Sequence, residues 1–394
     1  MSINVKSSEF PLIMFHATPR AMIGWGAYQM AGIETKAAGI KHALLVTSGL
    51  KGTGIVDEIV GVLKYAGVEV TVYDGVTTNP KDYEAHAAHK MYRDAGCDGV
   101  VSLGGGSSHD CAKAVRIIEH HNGASILSFE GFNDFAKPIT IPQVAITTTC
   151  GTGSETTNAT VITNTEKRYK MIMFERSINP TQAIIDPALM RLLPPRLTAW
   201  TGMDALTHAV EAYTSRMWSY TSMGMAISAV KLIAENLRNA YGNGNNDQAR
   251  EKMAWAQYSA GHAINSAGAG VVHSMAHALG GYIDLPHGQC NAIILAEAQR
   301  YNLVACPELY ADIARAMGVD TTGMTAIRAA EKAVEEMEKL RDDLGITEKL
   351  SDLGLKAEDV DKLSELIELH DVCKDANPRT VAIQDVKDLF HKCL

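Results

Sequence analysis

From residue 42 to about residue 190 the apolar positions come in short continuous runs, separated by stretches in which they recur every three to four residues. The runs are HALLVT (42–47), VEVTVY (68–73) and DGVVSLG (98–104), and the intervening patterns predict helices near 52–66, 81–95 and 107–121. Strands alternating with helices of this length predict βαβ units and a parallel sheet. VAITT (144–148) adds another strand, and ATVIT, KMIMF and QAIID then follow in quick succession as three short candidates, expected to form a hairpin or an edge over the sheet.

The pattern changes at LLPPRLTAW. Pro194 and Pro195 break a preceding helix and can open the next one, and beyond them Ala, Leu, Met and Glu recur at helical spacing while strand patterns disappear. The expectation is an α/β unit over 1–193 and an all-helical unit over 194–394. A chain of 394 residues is in any case too long for one ordinary core. YGNGNND (241–247) reads as a helix connection.

Composition narrows the setting. With 46% hydrophobic and 21% charged residues, and no run of eighteen apolar positions, the chain reads as a soluble globular protein without a membrane span. The start, MSINVKSSEFPLIMF, lacks a basic segment leading into an apolar one, so a cytoplasmic location is expected. Seven cysteines scattered from Cys97 to Cys393 without a CxxC pair suit reduced thiols rather than a disulfide framework or a thiolate zinc site. A net charge of −9 with no basic block excludes an electrostatic footprint for nucleic acid and favours a small-molecule partner.

Two loops carry phosphate-binding chemistry. SLGGGSSHDCAKAV (102–115) sets three glycines between a strand and a helix, where backbone N–H groups and the helix N-terminus can meet phosphate oxygens. It matches neither GxGxxG, which would need glycine at His109, nor GxxxxGK[ST], so a turn needed only for tight packing stays open. ITTTCGTGSETTN (146–158) follows another strand and is rich in hydroxyls. Two such loops at strand ends favour one ligand shared in the crevice outside the sheet.

The helical half carries metal chemistry. In GVVHSMAHALGGYIDLPHGQCN (270–291), His273 and His277 share a helix face, and His287 can return to them only if the chain reverses around Gly280, Gly281 and Pro286. In WTGMDALTHAVEAY (200–213), Asp204 and His208 also stand at i and i+4. An aspartate near a helix start with an incidental histidine is the plain alternative for that pair. Together with His273 and His287, however, it makes a three-imidazole, one-carboxylate set that suits a borderline divalent metal with open positions for substrate. His277, on the same face, either passes protons or packs.

GGGSSHDCAKA, TTTCGTGSETT, GMDALTHAVEAY and GVVHSMAHALGGYIDLPHGQCNA, in this order, resemble the iron-containing alcohol dehydrogenase family, also called group III alcohol dehydrogenases. The resemblance runs essentially end to end. It implies an N-terminal dinucleotide-binding domain, an all-helical C-terminal domain and a metal in the cleft between them. Asp204, His208, His273 and His287 are then the metal ligands, with His277 beside the reacting centre. It implies Gly105, Gly106 and Ser107 on the pyrophosphate, Asp110 and Lys113 completing that motif, and Thr148, Thr149, Thr152, Asn79 and Lys170 as further cofactor contacts. Ala159 and Ile264 fall where relatives line the substrate pocket.

The implied enzyme is an NAD(P)-dependent oxidoreductase interconverting a short primary alcohol (methanol, ethanol, propanol or propanediol) and its aldehyde. Fe²⁺ leads as the metal, with Zn²⁺ or Mn²⁺ as alternatives, and a homo-oligomer, dimer or higher, is expected. One position departs from the family. Where many relatives place an Asp that excludes a 2′-phosphate, this chain has Ser48, followed by Gly49 and with Lys51 close by, so NADP joins NAD as a candidate. A lyase-type sugar-phosphate cyclase of the same fold would need Lys and Arg around the metal helices, and 202–213 and 270–299 contain neither. A non-catalytic nucleotide or metal sensor would be expected to lose the glycine loop or an open metal position. Neither is lost.

Overall fold

A computed structural model describes residues 19–133 and 135–394, so the N-terminal stretch read above for a leader lies outside the described residues. The first part runs β1 (Arg20–Ile23), α1 (Ala31–Ala37), β2 (His42–Thr47), α2 (Ile55–Tyr65), β3 (Glu69–Tyr73), α3 (Asp82–Ala95), β4 (Gly99–Gly104) and α4 (Gly106–His120). There follow β5 (Gly131–Phe132), β6 (Gln143–Thr147), β7 (Ala159–Asn164), β8 (Tyr169–Phe174) and β9 (Gln182–Ile185).

Six strands form one parallel sheet in the order β1-β9-β6-β4-β2-β3. Its residues face two cores in alternation. Leu44 and Val46 pack with Ala85, Ala112 and Val115 from α3 and α4, whereas Ala43 and Leu45 pack with Ala31, Ile59 and Leu63 from α1 and α2. Burial on both faces explains why these strands read as continuous apolar runs rather than alternating ones. The chain winds outward from β2 to β3, then returns through β4 and continues the other way through β6 and β9. The loops after β2 and β4 therefore part at the strand ends and leave a crevice.

The three short strand candidates resolve differently from one another. β7 and β8 form an antiparallel hairpin, in register from Ala159↔Phe174 to Asn164↔Tyr169, in a second small sheet with β5. The QAIID segment does not join them. Its strand β9 lies inside the main sheet, parallel to both β6 and β1. All four of its residues are buried, so it has no exposed face to mark its place.

After the short α5 (Pro187–Met190) the described chain contains no further strand. The helices are α6 (Pro195–Thr214), α7 (Tyr220–Gly242), α8 (Asp247–Ala267), α9 (Val271–Tyr282), α10 (His287–Asn302), α11 (Pro307–Ala316), α12 (Ala326–Asp343), α13 (Val360–His370) and α14 (Ile383–Cys393). Pro195 occupies the first turn of α6, where its missing N–H costs nothing. One core joins these helices, and α6, nearly all of it buried, runs through it. The parallel-sheet α/β part followed by an all-helical part is thus borne out. All seven cysteines are unpaired. Among the described residues no helix is long and apolar enough to cross a membrane.

Candidate active site

Three helices bring the metal candidates together. α6 presents Asp204 and His208 from its buried middle, and Asp204 Oδ1 lies 3.9 Å from His208 Nε2. α9 supplies His273, whose ring stacks on that of His208 with centroids 4.7 Å apart. The chain then reverses through Ile283–Pro286, with Asp284 in the left-handed region (φ 55°), and His287 opens α10. His287 Nε2 comes to 3.7 Å from Asp204 Oδ1. The reversal expected from Gly280, Gly281 and Pro286 is what returns His287 to Asp204, His208 and His273.

The donor set fits a divalent metal. One carboxylate and three imidazoles converge, and burial holds His208 down to about 4 and His287 well below its ordinary value, so both rings are neutral and offer lone pairs. Burial also works against charge on His273, but Glu211 reverses it and leaves this ring raised. Glu211 Oε2 accepts from His273 Nδ1 at 2.5 Å, which leaves Nε2 free of that bond and available to a metal. The Glu211 carboxylate also accepts from the amides of Gly270 and Val272, each at 2.8 Å. Asn291, one turn into α10, places its Nδ2 2.6 Å from Asp204 Oδ1 and 3.2 Å from His287 Nε2.

His277 stands beside this set, its ring parallel to that of His287 at 5.2 Å. Its Nδ1 is 3.1 Å from Asp371 Oδ2. Burial holds His277 below its ordinary value against the pull of Asp371. Burial likewise works to raise Asp371, yet bonds from His277, Ser274 Oγ (2.5 Å) and the Cys373 amide (2.8 Å) outweigh it and keep the carboxylate ionised. Glu211, Asn291 and Asp371 were not singled out from the sequence. Glu211 had a signal, being three residues beyond His208 on the same helix.

The two phosphate-type loops close on one another. A side chain at Gly105 would begin 2.8 Å from Thr149 Cγ2, and one at Gly106 would begin 3.1 Å from Thr152 Cβ. Glycine there lets the threonine loop lie against the N-terminus of α4. Ser107 is half-buried at that terminus, and Thr148 is pinned by its amide to Gly104 O at 2.9 Å. Ser48 Oγ reaches Ser108 Oγ at 3.0 Å, joining the loop after β2 to the first turn of α4.

Other members of the predicted set make their contacts inside the chain. Asp110 accepts from Ser154 Oγ at 2.6 Å and from the Val161 amide at 3.1 Å. Lys113, fully buried, donates to Ser154 O, Ser154 Oγ, Thr157 Oγ1 and Ala159 O. Asn79 donates to Asp284 Oδ1 at 2.9 Å and to Leu285 O at 3.1 Å, tying the segment after β3 to the α9–α10 turn. Lys170 in β8 lies against Gly280 of α9, where a side chain would begin 2.8 Å from its Nζ. Burial lowers it to about 8, opposed by Cys290, Asp110, Asp204 and Asp284, so this cation stands between the phosphate motif and the metal set. Ala159 starts β7 and Ile264 lies near the end of α8, in segments linked by the Asn158 amide on Asn265 Oδ1 at 2.9 Å.

A crevice of glycine and hydroxyl loops above a parallel sheet, facing a buried His₃Asp cluster on a helical unit, defines a nucleotide-linked metalloenzyme. Comparison with known families is decisive on which kind. Residues 18–187 match the family described as iron-containing alcohol dehydrogenase, and residues 198–394 match the C-terminal part of the same family. The chain belongs to that family, and it is an oxidoreductase of the iron-type alcohol dehydrogenase class.

It is 44% identical over 359 residues to a methanol:N,N-dimethyl-4-nitrosoaniline oxidoreductase of Mycobacterium sp., covering 90% of this chain and 85% of that protein. It is 40% identical over 381 residues to an NAD-dependent methanol dehydrogenase of Bacillus methanolicus, covering 96% and 99%. The crystal structure of a 1,3-propanediol oxidoreductase superposes with a TM-score of 0.93 at 42% identity, over 97% of this chain and all of the other.

Proposed function

We propose that the protein interconverts a short-chain primary alcohol and its aldehyde with NAD, and that Asp204, His208, His273 and His287 hold the divalent metal. The observation that carries this reading is the convergence of those four side chains in a buried cluster, with Lys170 between them and the glycine loop. A cation held there would supply Lewis acidity toward the alcohol oxygen, and NAD bound at the glycine loops would supply a hydride acceptor. His277, oriented by Asp371, takes the hydroxyl proton.

In the other half of the cleft, Gly105, Gly106 and Ser107 offer backbone N–H groups to the pyrophosphate, with Thr148, Thr149, Thr152 and Lys170 beside them. Asp110 and Lys113 serve this site by shaping the loop over 154–159, and Asn79 by fixing the turn ahead of His287. Ala159 and Ile264, small or apolar and uncharged, suit a small neutral substrate, as do the methanol and 1,3-propanediol named for the relatives. We assign Fe²⁺ as the metal ahead of Zn²⁺ or Mn²⁺, a boundary between the two units at 193/194, a cytoplasmic location and a homo-oligomeric state.

Formation of NADH with methanol, ethanol or 1,3-propanediol, before and after exhaustive chelation and metal readdition, tests the reading. Turnover should vanish on chelation and return with the metal. Replacing Asp204 should be at least as damaging as replacing any of the three histidines, because its charge stabilises the cation. Activity that survives chelation would overturn the assignment.

A further inference from the structure

A proton taken up by His277 must still reach bulk water, and His277 is deeply buried. Next to it lies a cavity of about 10 Å³, lined among others by Tyr169, Lys170, Ser274, His277, His370 and Asp371. Ala278, Leu366 and Ile367 complete the lining, and a space of that size is at the lower limit for one water molecule held by the polar groups of its wall. At its far wall the His370 ring stacks on Tyr169, with centroids 4.1 Å apart and planes 14° from parallel. His370 Nδ1 is 3.3 Å from Glu130 Oε1, and the other oxygen of Glu130 accepts from the Tyr169 hydroxyl. The side chains of His277 and Asp371 are 9% and 8% exposed, those of His370 and Glu130 25% and 30%, so the series runs from interior to surface.

We propose that this series is the exit for the catalytic proton, with one water in the cavity linking Asp371 to His370 and with Glu130 handing the proton to solvent. The inference rests on the reading of His277 as proton acceptor. As the alcohol O–H breaks and an N–H forms at His277 Nε2, the Nδ1 proton passes to Asp371 and from there to the water. The water gives a proton to His370 Nε2, and His370 Nδ1 gives one to Glu130 Oε1. Each hop breaks one bond to hydrogen and forms another. Once Glu130 loses its proton to bulk water both rings are left with hydrogen on Nε2, and each must return it to Nδ1, by turning over or by exchange with water, before the next turnover. The Tyr169 stack and the Glu130 contact fix the plane of the His370 ring.

His370→Phe keeps the stack and removes the ring nitrogens, and Glu130→Gln keeps the shape and removes the base. The readout is proton release to an indicator dye in dilute buffer, on mixing metal-loaded enzyme and NAD with trifluoroethanol, an alcohol expected to bind without being oxidised. Both variants should release the proton about tenfold or more slowly, the lower end of what a positioned proton carrier contributes, with metal content and NAD affinity unchanged. Added imidazole should restore their ethanol turnover and leave the wild type unaffected. Should His370→Phe fold poorly, Glu130→Gln alone decides. Wild-type release rates in the folded variants, or no response to imidazole, would overturn the proposal. If His277→Ala slows release and neither outer variant does, the exit lies elsewhere and the reading of His277 stands; if His277→Ala has no effect either, that reading falls with it.

Discussion

Glu211 and His273 share a hydrogen bond of 2.5 Å inside the protein core, and the same carboxylate also ties down the first turn of α9 through two backbone amides. The bond fixes both the tautomer and the tilt of the ring. Glu211→Gln should therefore lower metal affinity by about 10–100-fold, the usual scale for such a supporting partner, while the protein stays folded. Competition against a chelator of known affinity measures this. Unchanged affinity would show that His273 is oriented by packing alone.

Ser48 bridges to Ser108 at the mouth of the crevice and carries no charge to repel a 2′-phosphate. Discrimination against NADP should be weak. Ser48→Asp should cut kcat/KM with NADP by about 100-fold and with NAD far less, since a carboxylate can still accept from a ribose diol. Equal losses with both cofactors would show that Ser48 does not meet the adenosine ribose.

Lys113 is surrounded by four acceptors from the 154–159 segment, and burial lowers it to about 8. Lys113→Met fills the space but removes the short donor to Ser154 O and Ala159 O, leaving them only the long contacts from Thr157. The expected loss is about 2–4 kcal/mol, read from urea unfolding. A change well below 1 kcal/mol would mean that the segment holds its shape without the lysine.

His109 is fully buried in α4, with Nδ1 2.8 Å from Ser102 Oγ, and burial pushes it down to about 3. The unfolded chain takes up this proton near pH 6.5, whereas the folded chain refuses it until about pH 3. Its contribution to stability is therefore complete above pH 6.5 and is lost progressively as pH falls toward 3, by about 1.4 kcal/mol per pH unit. His109→Gln should flatten that part of the stability profile. Identical slopes for the two proteins would contradict a neutral buried imidazole.

The sheet strands that are buried on both faces could be read in advance because each is a continuous apolar run directly followed by a helical period. β1 could not, since RAMI is four residues long, mostly half-buried, and lies at a sheet edge. β9 reads as a strand but is expected with its two predecessors in a hairpin or edge over the sheet, whereas it lies inside the sheet, because strand order depends on pairing between distant segments and QAII carries no mark of its neighbours. The candidate metal ligands could be picked out from spacing within two helices and one turn. Asp371 is 94 residues from His277 and sits in a polar, aperiodic stretch, so only the folded chain brings the two together.

The hairpin of β7 and β8 belongs by sequence to the first half of the chain, yet it grips the second. The Tyr169 backbone lies so close to Gly281 that a side chain there would begin 2.4 Å from Tyr169 Cα, and Arg168 donates to Tyr282 O. A gene split at the proline pair would thus yield two fragments, each missing a wall. The first would keep its hairpin on the core shared with α3 and α4 but lack α9 against it, and the second would carry a bare helix with two of the site's histidines. Such halves should be recovered by synthesis together rather than by mixing after separate purification, and the residues beside Gly281 are where they would have to re-form their seam.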